Sequence, residues 1–140
     1  MTIKEIQEEI IDEFSMFEDW MERYEYIIDL GKSLNILQEE NKIDANLISG
    51  CQSKVWLHSE MNEDKIVFSA DSDAILTKGI VALLLRVFNN QKPADILAAD
   101  LFFVDEIGLK EHLSPTRANG LVSMIKQIKL YALAFQSKLS

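Results

Sequence analysis

Cysteine is almost missing from this 140-residue sequence: Cys51 stands alone. One thiol closes no intramolecular disulfide, and it cannot by itself hold an iron–sulfur cluster, which normally takes four thiolates. Histidine occurs only at His58 and His112, with no paired-ligand spacing to each other or to Cys51, so no metal site is expected. The five glycines are scattered, which excludes the glycine-rich loops that cradle phosphates or dinucleotides, and a serine-hydrolase elbow is absent too. Long apolar runs are also lacking. The most apolar stretch, Ile80 to Leu85, is closed off by Lys78 and Arg86 and falls far short of the roughly 20 residues that span a bilayer. Basic charge is scarce as well, with 14 Lys and Arg against 23 Asp and Glu and a net charge of -9. That balance argues against a nucleic-acid backbone or an anionic membrane as partner; an acidic surface keeps a protein soluble and can steer it toward a basic patch on another protein. No secretory signal precedes Ile3, and a reducing cytoplasm is the expected location.

Hydrophobic residues make up 48% and charged residues 26% of the chain, the balance of an ordinary globular protein, and residues 1–140 are expected to form one domain. Thr2 and Glu5 have the spacing of a capping box, and Ile3, Ile6, Ile10, Phe14 and Phe17 follow at helical intervals. Asp19 can cap a second helix striped by Trp20, Tyr24, Ile27 and Leu30, with Gly31 as the left-handed residue that ends it. Residues 32–46 are polar and irregular, anchored by Leu34, Ile36 and Leu37. Val55 and Leu57 alternate with Trp56 and His58 as in a half-buried strand; Met61 to Asp64 suits a hairpin connection, and Ile66, Val67 and Phe68 continue as its partner. Leu47-Ile48 is a candidate third strand. Asp71, Ser72 and Asp73 offer capping oxygens to a helix from Ala74 to Phe88 that is apolar on most sides and therefore central. Pro93 opens a short helix, Leu101 to Val104 reads as an edge strand or a buried loop, and Ser114-Pro115 starts a long C-terminal helix lined by Leu121, Met124, Ile128, Tyr131 and Phe135. The expected fold is α+β: a small antiparallel sheet of two to three strands packed against several helices.

Chemistry concentrates on Cys51. Ser49, Gly50, Gln52 and Ser53 surround it with loop-forming residues just before a strand, where functional side chains are often placed. A free cysteine also serves as a small buried hydrophobe, so packing is the alternative role. Only a few per cent of an ordinary thiol is ionised at neutral pH, and His58, His112 and Arg117 are the candidate helpers for a thiolate. Arg117 is unusual, because a cation in the first turn of a helix opposes the helix dipole. Asp71 and Asp73 are its candidate partners, with simple capping as their other role.

The sequence resembles the SufE family of sulfur acceptors. The resemblance is carried in order by Tyr26-Ile27-Ile28-Asp29-Leu30-Gly31, Gly50-Cys51-Gln52-Ser53-Lys54-Val55-Trp56, Asp71-Ser72-Asp73-Ala74, Lys78-Gly79, and His112-Leu113-Ser114-Pro115-Thr116-Arg117 through Asn119-Gly120-Leu121. It implies that Cys51 takes sulfur as a persulfide from a cysteine desulfurase and passes it to an iron–sulfur scaffold, activating the desulfurase as it does so. Pyridoxal phosphate would belong to that partner, and this chain would need no cofactor of its own. The resemblance implies a carrier and activator rather than a self-standing enzyme. A loop that tucks the sulfur under apolar neighbours would protect a persulfide, and Asp71, Asp73 and Arg117 are expected to hold the loop or meet the partner, with His112 beside them. The alternatives are an acceptor feeding a different sulfur pathway, a cysteine hydrolase using Cys51 with a histidine, and an adaptor in which Cys51 only packs.

Overall fold

A computed structural model describes residues 1–34, 37–51 and 53–139. Among these the chain forms six α-helices and one two-stranded antiparallel sheet, in the order α1 (Ile3–Ser15), α2 (Trp20–Gly31), β1 (Val55–Asn62), β2 (Lys65–Ser72), α3 (Ile75–Phe88), α4 (Pro93–Ala98), α5 (Phe102–Glu106) and α6 (Pro115–Leu139). The α+β class, the small sheet and the long C-terminal helix are those expected.

The start signals of α1, α2 and α6 work as their chemistry requires. The Thr2 hydroxyl accepts from Glu5 N–H while the Glu5 carboxylate accepts from Thr2 N–H, closing the capping box. Asp19 accepts from Glu22 N–H at 2.9 Å, and Ser114 accepts from Arg117 N–H at 3.3 Å. In the hairpin Val55 pairs with Ser72 and Asn62 with Lys65, leaving Glu63 and Asp64 as the turn. Val55 and Leu57 of β1 and Ile66, Phe68 and Ala70 of β2 are buried on one face, covered by α3, whose Ile80, Leu83, Leu84, Val87 and Phe88 are also buried.

Three sequence expectations change. Leu47 and Ile48 form no third strand; Leu47 makes an isolated bridge to Trp56. The run Leu101 to Val104 contributes to helix α5, because Gln7 of α1, almost wholly buried, accepts from Phe103 N–H and donates to the Asp100 carbonyl. That partner lies far away in the chain, and four apolar residues cannot announce it. Gly31 is not a left-handed terminator but the last residue of α2, and among the described residues positive φ at glycine occurs at Gly50 and Gly108. A Cβ on Gly31 would stand 3.0 Å from Gly79 N, and a Cβ on Gly79 would stand 2.1 Å from the Ile27 carbonyl oxygen. The pair lets α2 and α3 touch through their backbones. The expected anchors Leu34 and Leu37 are buried, while Ile36 lies outside the described residues.

At the other end of α3, Arg86 reaches α1, donating to Glu13 at 2.8 Å and to Glu9 at 2.6 Å, while the Tyr26 hydroxyl also donates to Glu13. The Arg86 bonds, against some burial, hold the Glu13 carboxyl below its ordinary value. Replacing Gly79 by Ala is expected to force α2 off α3 and to destabilise the protein by about 2–3 kcal/mol. Urea unfolding should show this as a lower midpoint at unchanged m-value.

Candidate functional site

The segment carrying Cys51 is a short loop clamped at both ends. Ile48 N–H donates to the Val55 carbonyl at 2.9 Å, closing its base. Near that base, Asp73 accepts from Lys54 N–H at 3.0 Å and its own N–H donates to the Lys54 carbonyl at 3.2 Å. Of the two roles considered for Asp73, these contacts match holding the loop and not capping the helix; Ala74 N–H is met by the Ser72 hydroxyl instead. Between the clamps the chain turns at Gly50, whose φ of 88° disfavours any side chain. A Cβ there would also lie 2.6 Å from the Ser123 hydroxyl of α6. The loop thus rests on α6.

That contact positions the sulfur. Cys51 is half-buried, and its thiol donates to the Gly120 carbonyl of α6 at 3.7 Å. Gly120 lies directly against it: a Cβ there would stand 3.5 Å from Sγ, in ordinary van der Waals contact. Ser53, Thr77, Ile80, Thr116, Arg117 and Met124 complete a cleft with only about 10 Å³ of free room, at the lower limit for one water. Burial pushes the Cys51 thiol above its ordinary pKa.

Of the expected helpers, Arg117 alone lines this cleft. Among the described residues its guanidinium makes no ion pair, so it does not join Asp71 or Asp73 in one network. Asp71 instead pairs with Lys42 at 2.9 Å and Lys78 at 3.3 Å. Partial burial works against its ionisation, but Lys42, the Ser72 N–H and Lys78 together hold its carboxyl below the usual range. His58 sits in β1 opposite Ser69, and His112 stacks on Trp20 at 3.9 Å with Nδ1 3.0 Å from the Gly108 carbonyl. Neither histidine lines the cleft. Ser49 is exposed at the loop's start, and Gln52 lies outside the described residues.

The sequence reading assigned no role here to Thr77, Thr116, Gly120, Ser123 or Met124. Two signals pointed to them: Thr77 is a polar residue on an otherwise apolar helix face, and Gly120 is a glycine inside a long helical stretch, where that residue is unfavourable. Among the described residues no group of three His, Cys, Asp or Glu side chains could hold a metal ion, and no helix is long and apolar enough to cross a membrane.

A hairpin and helices that fold one cysteine loop onto a long terminal helix define the class. The fold is similar to the solution structure of a hypothetical protein from Thermus thermophilus, with a TM-score of 0.78 at 15% identity over 94% of this chain and 96% of that one. Residues 8–132 match the SufE family, described as an Fe-S metabolism associated domain. An uncharacterised SufE-like protein of Rhizobium etli is 41% identical over 87% of this chain and 86% of its own. One from Synechocystis is 38% identical over 91% of this chain and 80% of its own. The chain belongs to the SufE family, and its role lies in iron–sulfur metabolism.

The raised thiol pKa gives a pH signature. A group whose protonated form is favoured by the fold contributes stability below its unfolded pKa, ~8.5 for cysteine, and loses it as pH rises through the folded value. Iodoacetamide should therefore alkylate native Cys51 with a pH midpoint above ~8.5, returning to ~8.5 in urea. A native midpoint at or below the urea value would contradict the burial argument.

Proposed function

We propose that this protein is the sulfur acceptor and activator of a pyridoxal-phosphate-dependent cysteine desulfurase, with Cys51 as the carrier residue. The observation that carries the reading is the confinement of the Cys51 sulfur: it is held against Gly120 in a cleft with about 10 Å³ of room and no histidine in its lining. A hydrolase needs space for a substrate and a base within hydrogen-bond reach of its nucleophile. A carrier needs neither until its partner arrives.

In the transfer step the Cys51 thiolate attacks the outer sulfur of a persulfide on the desulfurase. A new S–S bond forms at Cys51, the old one breaks, and the desulfurase cysteine leaves as a thiolate that takes up the proton given up by Cys51. One sulfur atom moves and no external oxidant is consumed. Removing it frees the desulfurase for another turnover, and the carried sulfur passes on to an iron–sulfur scaffold.

The resting cleft cannot admit an attacking partner, so the loop has to swing away from α6. Gly50 supplies the backbone freedom, and the Ile48–Val55 and Asp73–Lys54 bonds act as the hinge that stays behind. As the sulfur leaves the cleft, Arg117 is the one cation in its lining able to favour the thiolate.

Intact-protein mass spectrometry after incubation with a cysteine desulfurase and L-cysteine tests the reading. Wild type should gain one sulfur mass, reversible by a thiol reductant, and Cys51→Ser should gain none. No added mass with a desulfurase shown to dock and turn over would remove the carrier role. Arg117→Ala, at an exposed position, should keep the same thermal melt yet accept sulfur about tenfold more slowly, with Arg117→Lys partly restoring the rate. Unchanged docking and acceptance would assign Arg117 no part in the step.

A further inference from the structure

The long C-terminal helix has a second face, opposite the one that meets Cys51. Gly120 and Met124 point toward the sulfur; Val122, Lys126, Lys129 and Leu133 lie half a turn around α6, as the helical period requires. There Val122, Leu130 and Leu133 are 49%, 48% and 52% exposed, and with Ile125 and Leu97 of α4 they line a groove of about 410 Å³ that is almost wholly apolar. Val122 to Leu133 covers about 16 Å of helix, three turns of continuous surface.

Charge singles out this helix. All 23 acidic residues of the chain precede Pro115, whereas α6 carries Arg117, Lys126, Lys129 and Lys138 and no Asp or Glu. Lys126 is exposed at the groove, and Lys129 rests its ammonium on the Ala99 carbonyl at 2.8 Å beside it. A basic, apolar strip on a protein of net charge -9 is complementary to an apolar stripe edged with carboxylates. A second copy fits poorly: laying α6 antiparallel on α6 with Val122 opposite Leu133 sets Lys126 of each copy against Lys129 of the other.

We propose that the groove between α4 and α6 is a docking site for an acidic amphipathic helix on a partner protein. The helix lays its apolar stripe between Leu97 and Leu130 and sets its carboxylates against Lys126 and Lys129. Because this face is turned away from Cys51, the partner stays bound while the cysteine loop moves, and docking does not depend on the sulfur chemistry.

The test uses the full chain and a synthetic amphipathic peptide of about 18 residues with leucines on one face and glutamates on the other. Amide chemical shifts are followed on titration, beside a peptide with lysines in place of the glutamates. The expected result is perturbation confined to Leu97 and residues 122–133, binding weakened tenfold or more by Lys126→Glu or Leu130→Ser, weakening in high salt, and unchanged binding in Cys51→Ser. Circular dichroism establishes that both groove variants remain folded. No binding at millimolar peptide, shifts centred elsewhere, or equal binding of the lysine peptide overturns the proposal. So does co-flotation with phosphatidylglycerol vesicles in place of peptide binding, which would assign the strip to a membrane. Concentration-dependent dimerisation abolished by Leu130→Ser would assign it to a second copy, and overturns it equally.

Discussion

The backbone contact between α2 and α3 sets the register of everything else. With a 2.1 Å gap between the Ile27 carbonyl oxygen and the place a Gly79 side chain would occupy, the two helices lie closer than any larger residue permits. The position of α3 then fixes three neighbouring side chains at once. Lys78 is brought to Asp71 at the end of β2, while Thr77 and Ile80 form the floor under Cys51. A shift of α3 would therefore open the cleft and loosen the strand end together. The Arg86 bridge to Glu9 and Glu13 ties the far end of the same helix to α1, so α3 is held at both ends by interactions of different kinds. Packed interiors resist such shifts because every displaced side chain loses close contacts.

Two glycines perform the corresponding task on α6. Gly120 offers its carbonyl to the sulfur, and Gly50 brings the loop apex against Ser123.

Local chemistry made much of this visible in the sequence. Thr2, Asp19 and Ser114 begin helices as their hydroxyl and carboxylate oxygens suggest, and the alternation of Val55 and Leu57 with Trp56 and His58 marks a real half-buried strand. What misled was chemistry supplied from a distance. The helical state of Phe102 to Glu106 depends on Gln7, and Gly31 answers to Gly79 across a helix interface rather than to the chain beyond it. The site divides the same way. The Cys51 loop, Arg117 beside it and Asp73 as a holder of the loop were legible from residue type and from the family resemblance; the separation of Arg117 from Asp71, Thr77 as part of the floor and His112 as a stacking partner of Trp20 are products of tertiary placement.

A sulfur carrier must hold a thiol that is unreactive alone and nucleophilic when a partner is present, and no single environment provides both. In the closed loop, burial raises the thiol pKa and leaves no room for a reactant. Under the proposed carrier role, reactivity would come from leaving that environment, with loop displacement itself as the switch. The fold suits that arrangement because the clamps are polar contacts at the loop's base, whereas the apex rests on α6 through small residues and one weak thiol hydrogen bond. Strong attachment at the base and weak attachment at the apex would confine such a motion to the residues around Cys51. In the proposed role the core beneath would then stay undisturbed, and the protein could return to the same resting state after each transfer.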